Sequence, residues 1–340
     1  MSRKRAGTIP VIALTGYLGA GKTSLLNHVL RTSAARIGVV INDFGDINVD
    51  AGLISGQIDE PASIAGGCIC CLPDDGGLDV ALARLAVPEM RLDAIIVEAS
   101  GLAEPMSIAR IIGFSEVSGI RDGGVIDIVD ASRHFETVDR TSVPPVRYGA
   151  ATLVVVNKLD EVPANGRQAT LHRVKERVHE RNQRAHVVGT VGGRIDPELL
   201  FDVAAARDVA GQLSFRDLLA ESAGDHEQHH HVRAESVTVT SEGTIDPKVL
   251  TDLLDNPPAG VYRMKGAVAV RHRSGSRNYV VNVVGSSVHV SPGSRDPSAN
   301  CLVAIGTGIG TAEVRGRLVL ALRPTSEVAS ATALRRLQRP

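Results

Sequence analysis

Residues 16–23 read Gly-Tyr-Leu-Gly-Ala-Gly-Lys-Thr, directly after the apolar run 9–15 and before the amphipathic stretch 24–31. A GxxxxGK(S/T) pattern set between strand and helix constrains the fold more than any other feature of this chain. Its glycines let the backbone curl until successive N–H groups face one point. Anions collect there, and the positive end of the following helix adds to the attraction. The residues that fit are Gly16, Gly19, Ala20, Gly21, Lys22, Thr23 and Ser24. Lys22 is expected to reach the β- and γ-phosphates of a nucleoside triphosphate, and the Thr23 hydroxyl to bind Mg²⁺. The plainer reading is a tight strand-to-helix turn with an incidental lysine; the flanking strand and helix are the context that favours a phosphate loop.

Short β-branched runs recur at 37–41, 94–97, 124–129, 151–156 and 186–191, with helical patterns at 78–85 and 169–181 between them. This alternation predicts an α/β fold, a P-loop NTPase with a doubly wound, mostly parallel sheet, covered on both faces. Residues 221–236 are polar, His-rich and without apolar periodicity, as a linker would be. Beyond them, strands are expected at 236–240, 267–272 and 278–284, and helices at 246–254 and 312–322. The predicted units are a P-loop domain over 1–220, a His-rich linker over 221–235, a smaller α+β domain over 236–325 and a disordered tail over 326–340.

The 340 residues carry a formal charge of −1, which gives no field favouring nucleic acid or an anionic membrane. No apolar run reaches the ~18–20 residues needed to span a bilayer, and the chain is read as cytoplasmic. Aromatics are 3% of the residues, too few for base-stacking platforms. Three of the four cysteines, Cys68, Cys70 and Cys71, fall in one tetrapeptide, which is no disulfide framework.

Asn157-Lys158-Leu159-Asp160 follows the apolar run LVVV. At that strand end Asp160 would accept hydrogen bonds from N1–H and the exocyclic amine of guanine, whereas adenine would set an acceptor against the carboxylate. Asn157 would support the loop and Lys158 pack on the ring; at the end of a later parallel strand the pattern points to GTP. Glu98, in VEASG, ends a buried run where the γ-phosphate is expected; it would ligate Mg²⁺ through water or orient the attacking water. Asp43, Asp46 and Asp50 follow the second run, a place for a loop that senses the γ-phosphate, or simply an acidic loop. Lys22, Glu98 and Asp46 are thus the candidate catalytic residues.

Cys68, Cys70 and Cys71 sit in the Gly-rich stretch GGCICC. Thiolates are soft ligands for Zn²⁺, Cu⁺ or Co²⁺. In an extended segment Cys68 and Cys70 point one way and Cys71 the other, so a tetrahedral site needs further donors, Asp46 or a histidine, or stays open for handover. A redox dithiol and three packed cysteines are the other readings.

The segments PVIALTGYLGAGKTSLLN, NDFGDINVD, GGCICC, VEASG and NKLD, spanning residues 10–160, resemble the CobW family of GTP-dependent metallochaperones. Zinc-transferring GTPases and nitrile hydratase activators belong to that family. YRMKG at 262–266 and LVAIGTG at 302–308 resemble its α+β C-terminal domain more loosely. The resemblance implies that Cys68, Cys70 and Cys71 form an internal metal site, joined by Asp43 and Asp46, with Thr23 on Mg²⁺. It implies that GTP with Mg²⁺ orders that site, that hydrolysis is slow, and that Zn²⁺ (or Co²⁺) passes to a client metalloprotein. Members often carry glutamate where this chain has Asp43 and Asp46, and Gly310 replaces an acidic residue common in the family. The expected assembly is a monomer, or a dimer that depends on nucleotide or metal.

Residues 225–231, Asp-His-Glu-Gln-His-His-His, would capture metal or simply be a solvated loop. Three functions are open at this stage. The first is a GTP-hydrolysing metal-delivery protein, and the second a metal-responsive GTP-binding adaptor. The third, a small-molecule phosphotransferase, leaves NKLD and CICC without a role.

Overall fold

The computed structural model describes residues 8–33, 35–42, 78–99, 105–201, 233–293 and 299–338. Asp43, Asp46, Asp50, Cys68, Cys70, Cys71 and the histidine run 225–231 lie outside the described residues. The first sheet contains β1 (Ile9–Gly16), β2 (Ile37–Asn42), β3 (Ala94–Ala99), β4 (Ile120–Asp130), β5 (Leu153–Asn157) and β6 (His186–Gly189). Its order is β2-β3-β1-β4-β5-β6, and every pairing is parallel. Buried strands of this kind need apolar side chains on both faces. Ile12 and Leu14 face one core with Leu25, Leu26 and Val29 of α1 (Lys22–Thr32). Val11 and Ala13 face the other, with α2 (Leu78–Leu85) and α3 (Pro105–Gly113). The short α4 (His134–Thr137) follows β4, and α5 (Arg167–Arg181) covers β5 through Val174 and Val178.

The second sheet is antiparallel in the order β10-β9-β8-β11-β7. Its strands are β7 (Glu235–Ser241), β8 (Val261–His272), β9 (Gly275–Val284), β10 (Ser287–Pro292) and β11 (Asn300–Gly306). Three helices, α6 (Pro247–Asp255), α7 (Thr311–Ala321) and α8 (Ala331–Leu337), share one apolar core with it. The disordered tail expected over 326–340 is corrected here, because α8 is a formed helix. The Ser330 side chain caps it by accepting from Ala333 N–H, and Leu337 is 2% exposed in the core. Arg336 ties it to Asp252 and Asp255 of α6, each at 2.6 Å.

The second domain meets the parallel sheet at the N-terminal ends of β4, β5 and β6. Tyr262 Oη lies 3.1 Å from Thr152 Oγ1, His186 Nε2 lies 2.8 Å from Thr307 Oγ1, and Ser287 Oγ donates to Asp122 Oδ2 at 2.9 Å. Tyr262 and Val284 belong to the same core cluster as Leu14 and Leu25. Gly124 has φ 94°, and a Cβ there would stand 2.6 Å from Thr152 Oγ1 and 2.9 Å from Val284. That close approach requires glycine. The C-terminal strand ends, where open α/β sheets bind their ligands, therefore lie at the opposite end of the sheet. No helix among the described residues is long and apolar enough to cross a membrane.

Candidate nucleotide site

The loop between β1 and α1 is built on strain that glycine relieves. Gly21, the residue before α1, has φ 105°, and a Cβ there would collide with the Asn157 amide. Ala20 is fully buried, Ser24 is exposed, and Gly16 and Gly19 also take positive φ. Lys22 Nζ donates to Gly16 O at 3.0 Å, so the ammonium lies folded over the loop. Thr23 Oγ1 donates to Glu98 Oε1 at 3.4 Å. Glu98 is 3% exposed and sits in register with Leu14 of β1 on one side and Ile41 of β2 on the other. A nearly buried carboxylate beside the loop is costly unless cations or donors meet it there.

The other wall comes from β5. Asn157, 2% exposed, donates through Nδ2 to Ala20 O at 2.9 Å and accepts from Gly193 N–H at 2.8 Å. One side chain thus joins the phosphate loop to the turn after β6. Lys158 takes the left-handed conformation, φ 61°, which turns its ammonium onto Asp130 at 2.7 Å. That bond holds the Lys158 ammonium above its usual range. Burial pushes the Asp130 carboxyl up, but bonds from Lys158 and Ser132 outweigh it and leave it low. Asp160 is exposed one turn further on. A cavity of about 280 Å³ opens between the loop (Tyr17, Leu18) and Asp130, Arg133 and Lys158.

The structure brings Gly16, Gly19, Ala20, Gly21, Lys22, Thr23, Ser24 and Glu98 to one end of β1 and β3, with Asn157 at the end of β5, two strands from β1, and Lys158 and Asp160 in the turn that follows it. Sequence reasoning missed a group beneath them. Asp127, fully buried in β4, takes two bonds from Arg147 at 2.8 and 2.6 Å and one from Thr15 Oγ1 at 2.9 Å. An aspartate inside the apolar run GVIDIVD was the available signal, since such a group is almost never buried unless paired. His134, 1% exposed, bonds Tyr148 beside it, and burial pushes its imidazole down to about 4. Gly193 and Asp130 were also missed.

A phosphate loop, a strand-end carboxylate and an NKxD turn on one parallel sheet define a P-loop NTPase. The family model "CobW/HypB/UreG, nucleotide-binding domain" matches residues 10–189, more than half of the chain, and "Cobalamin synthesis protein cobW C-terminal domain" matches 234–322. The chain belongs to the CobW/HypB/UreG family. It is 28% identical over 299 residues to "Zinc chaperone CobW" of Sinorhizobium sp., covering 78% of this chain and 82% of that one. It is 34% identical over 201 residues to "Zinc chaperone YjiA" of Escherichia coli (strain K12), covering 57% and 61%. A solved structure described as Zn(II)-bound YjiA GTPase from E. coli is 23% identical, with a TM-score of 0.43, over 93% of this chain and 99% of that one.

Proposed function

We propose that this protein hydrolyses GTP and delivers a thiophilic metal ion, Zn²⁺ or Co²⁺, from Cys68, Cys70 and Cys71 to a client metalloprotein. The observation that carries the proposal is a register. β2 pairs with β3 so that Ile41 lies beside Glu98 and Asn42 beside Ala99. The next residue is Asp43. β2 therefore ends beside the carboxylate that faces the phosphate loop, and the sequence that follows it carries Asp43, Asp46 and the three cysteines. Whatever binds at Glu98 and Thr23 acts at the root of the metal-binding segment.

In this reading Asp160 accepts from the guanine N1–H and amine, Asn157 fixes the loop, and the backbone N–H groups of residues 19–24 hold the phosphates. Lys22 exchanges its bond to Gly16 O for the β- and γ-phosphates. The Thr23 hydroxyl and Glu98 carboxylate, 3.4 Å apart, are two hard oxygen donors that fit Mg²⁺. Bound there, Mg²⁺ would supply neutralisation of the phosphate charge. Glu98 also orients the attacking water; its oxygen forms the new bond to the γ-phosphorus as the bond to the β-phosphate oxygen breaks, giving GDP and phosphate. Zinc chaperone relatives support the cargo, and the thiolate set agrees with it.

The test is a Co²⁺ titration followed by absorbance with a Mg-GTP analogue, Mg-GDP or no nucleotide, on wild type and Cys70→Ala. Thiolate-to-cobalt bands that need the analogue and vanish in the variant are expected. Bands of equal strength in all three nucleotide states would sink the coupling. A Glu98→Ala variant that still delivers metal without hydrolysing GTP would move the protein to the adaptor class.

A further inference from the structure

A second cavity, about 750 Å³, lies between the two domains at the end of the sheet away from the nucleotide site. Lys175, Arg184, His186 and Val187 form one wall; Pro257 and Gly308 stand on the other. Lys175 and Arg184 are exposed. The acid among the lining residues, Asp255, is engaged by Arg336 Nη2 at 2.6 Å. His186 is held by Thr307 and stacks on Tyr262, with ring centroids 5.5 Å apart. The cleft is thus cationic on its parallel-sheet side, with walls fixed by bonds between the domains.

The same wall offers a strand edge. Among the described residues β6 has one sheet neighbour, β5. His186 N–H points inward to Thr152 O, and Thr190 N–H to Val156 O. Alternation along a parallel strand turns the N–H and C=O of Val187 outward, on the cleft side. An edge pair of backbone groups flanked by cations recognises an extended chain with acidic side chains.

We infer that this interdomain cleft docks an acidic, extended peptide segment, added along the Val187 edge of β6 between Lys175 and Arg184. The inference rests on the delivery reading for whose segment it is, the metal recipient's. The docking itself needs neither metal nor nucleotide. Such a surface would hold the recipient while the opposite end of the sheet cycles.

The test is fluorescence anisotropy on the full chain, without metal or nucleotide. The probe is a fluorescein-labelled, capped eight-residue peptide of alternating Glu and Val. Saturable binding is expected, falling about tenfold or more in the double variant Lys175→Glu/Arg184→Glu. Both substitutions are on exposed side chains, and an unchanged thermal midpoint and GTP affinity would confirm that the double variant is folded. A peptide N-methylated along its backbone is expected to bind about tenfold more weakly, because it has no N–H to donate to the Val187 carbonyl and its methyl groups crowd the edge. Absent binding, equal binding by the double variant, or equal binding by the methylated peptide would overturn the inference. Full displacement by low-millimolar inorganic phosphate would also overturn it, replacing the peptide groove with a small-anion site. None of these failures touches the cobalt titration, which reads the nucleotide end alone.

Discussion

The two ends of the parallel sheet are made from the same strands and held by different chemistry. At the C-terminal ends, ion pairs hold the strands: Asp127, fully buried, with Arg147, and Asp130, half-buried, with Lys158. At the N-terminal ends, where the second domain docks, they are carried by hydroxyls: Thr152 with Tyr262, Thr307 with His186, Ser287 with Asp122. A buried charge gains little net stability when paired and costs much when its partner is lost. A neutral hydroxyl pair is cheaper to break. The nucleotide end is therefore organised for orientation and sensitivity, and the docking end for tolerance.

The largest expected effect is at Asp127. Arg147→Met removes two bonds to a fully buried carboxylate and leaves it with Thr15. The expected cost is about 3–5 kcal/mol in chemical denaturation, with GTP affinity falling as β4 shifts beneath the loop. A loss under about 1 kcal/mol would erase the contrast between the two ends.

The second effect comes from pH. Burial lowers the His134 imidazole from 6.5 to about 4, so the native state binds fewer protons than the unfolded chain between those values. Stability therefore rises with pH across that window and is lost as pH falls through it, by up to about 3 kcal/mol from this group. His186, at the docking end, is also lowered to about 4 by burial and slopes the same way. Denaturation curves at pH 7 and pH 4.5 for wild type, His134→Asn and His186→Asn separate the two. Both imidazoles fall from 6.5 to about 4, so His134→Asn and His186→Asn are each expected to flatten the slope, and by similar amounts. A slope that only one of the two variants flattens would place the pH sensitivity at that end of the sheet alone.

What was legible in the sequence divides along a similar line. β1, α1 and α2 could be read because their signals are local: an apolar run, a glycine-rich turn, an amphipathic period. Glu98 and Asn157 could be placed because a strand end in a parallel sheet has one destination. The partner of Asp127 could not, because Arg147 is 20 residues further on, beyond α4, and no local period links them. β10 was missed although Ser287, Val288, His289, Val290 and Ser291 alternate polar and apolar and the Gly285-Ser286 turn before them is a hairpin signal. The tail was misread for a physical reason. The Ser330 cap is local, but what orders α8 is contact with α6, through Arg336 and the buried Leu337.

A third, smaller effect probes the link between the loop and the β6 turn. Asn157→Ala leaves Ala20 O and Gly193 N–H without their shared partner. About 2 kcal/mol of stability is expected to go. GTP affinity should fall in calorimetry, while binding of the Glu-Val peptide at the opposite end is unchanged. Loss of both together would mean that the two ends are one cooperative unit.

The smallest effect is at the docking end. Tyr262→Phe keeps the ring in the core and its stack on His186, and removes the hydroxyl beside Thr152. Thr152 Oγ1 retains its exchange with the Val125 backbone, donating to Val125 O and accepting from Val125 N–H at 3.0 Å. No group is left stranded, so the expected cost is about 1 kcal/mol, with GTP turnover unchanged. A larger loss accompanied by a change in GTP turnover would show that this contact transmits to the phosphate loop. The route is short: Thr152 precedes β5, which ends at Asn157, and Asn157 holds Ala20. A single five-residue strand thus separates the domain contact from the nucleotide site. Leu153, Val154, Val155 and Val156 are all fully buried, so a shift at either end of this strand has to move the packed core around it.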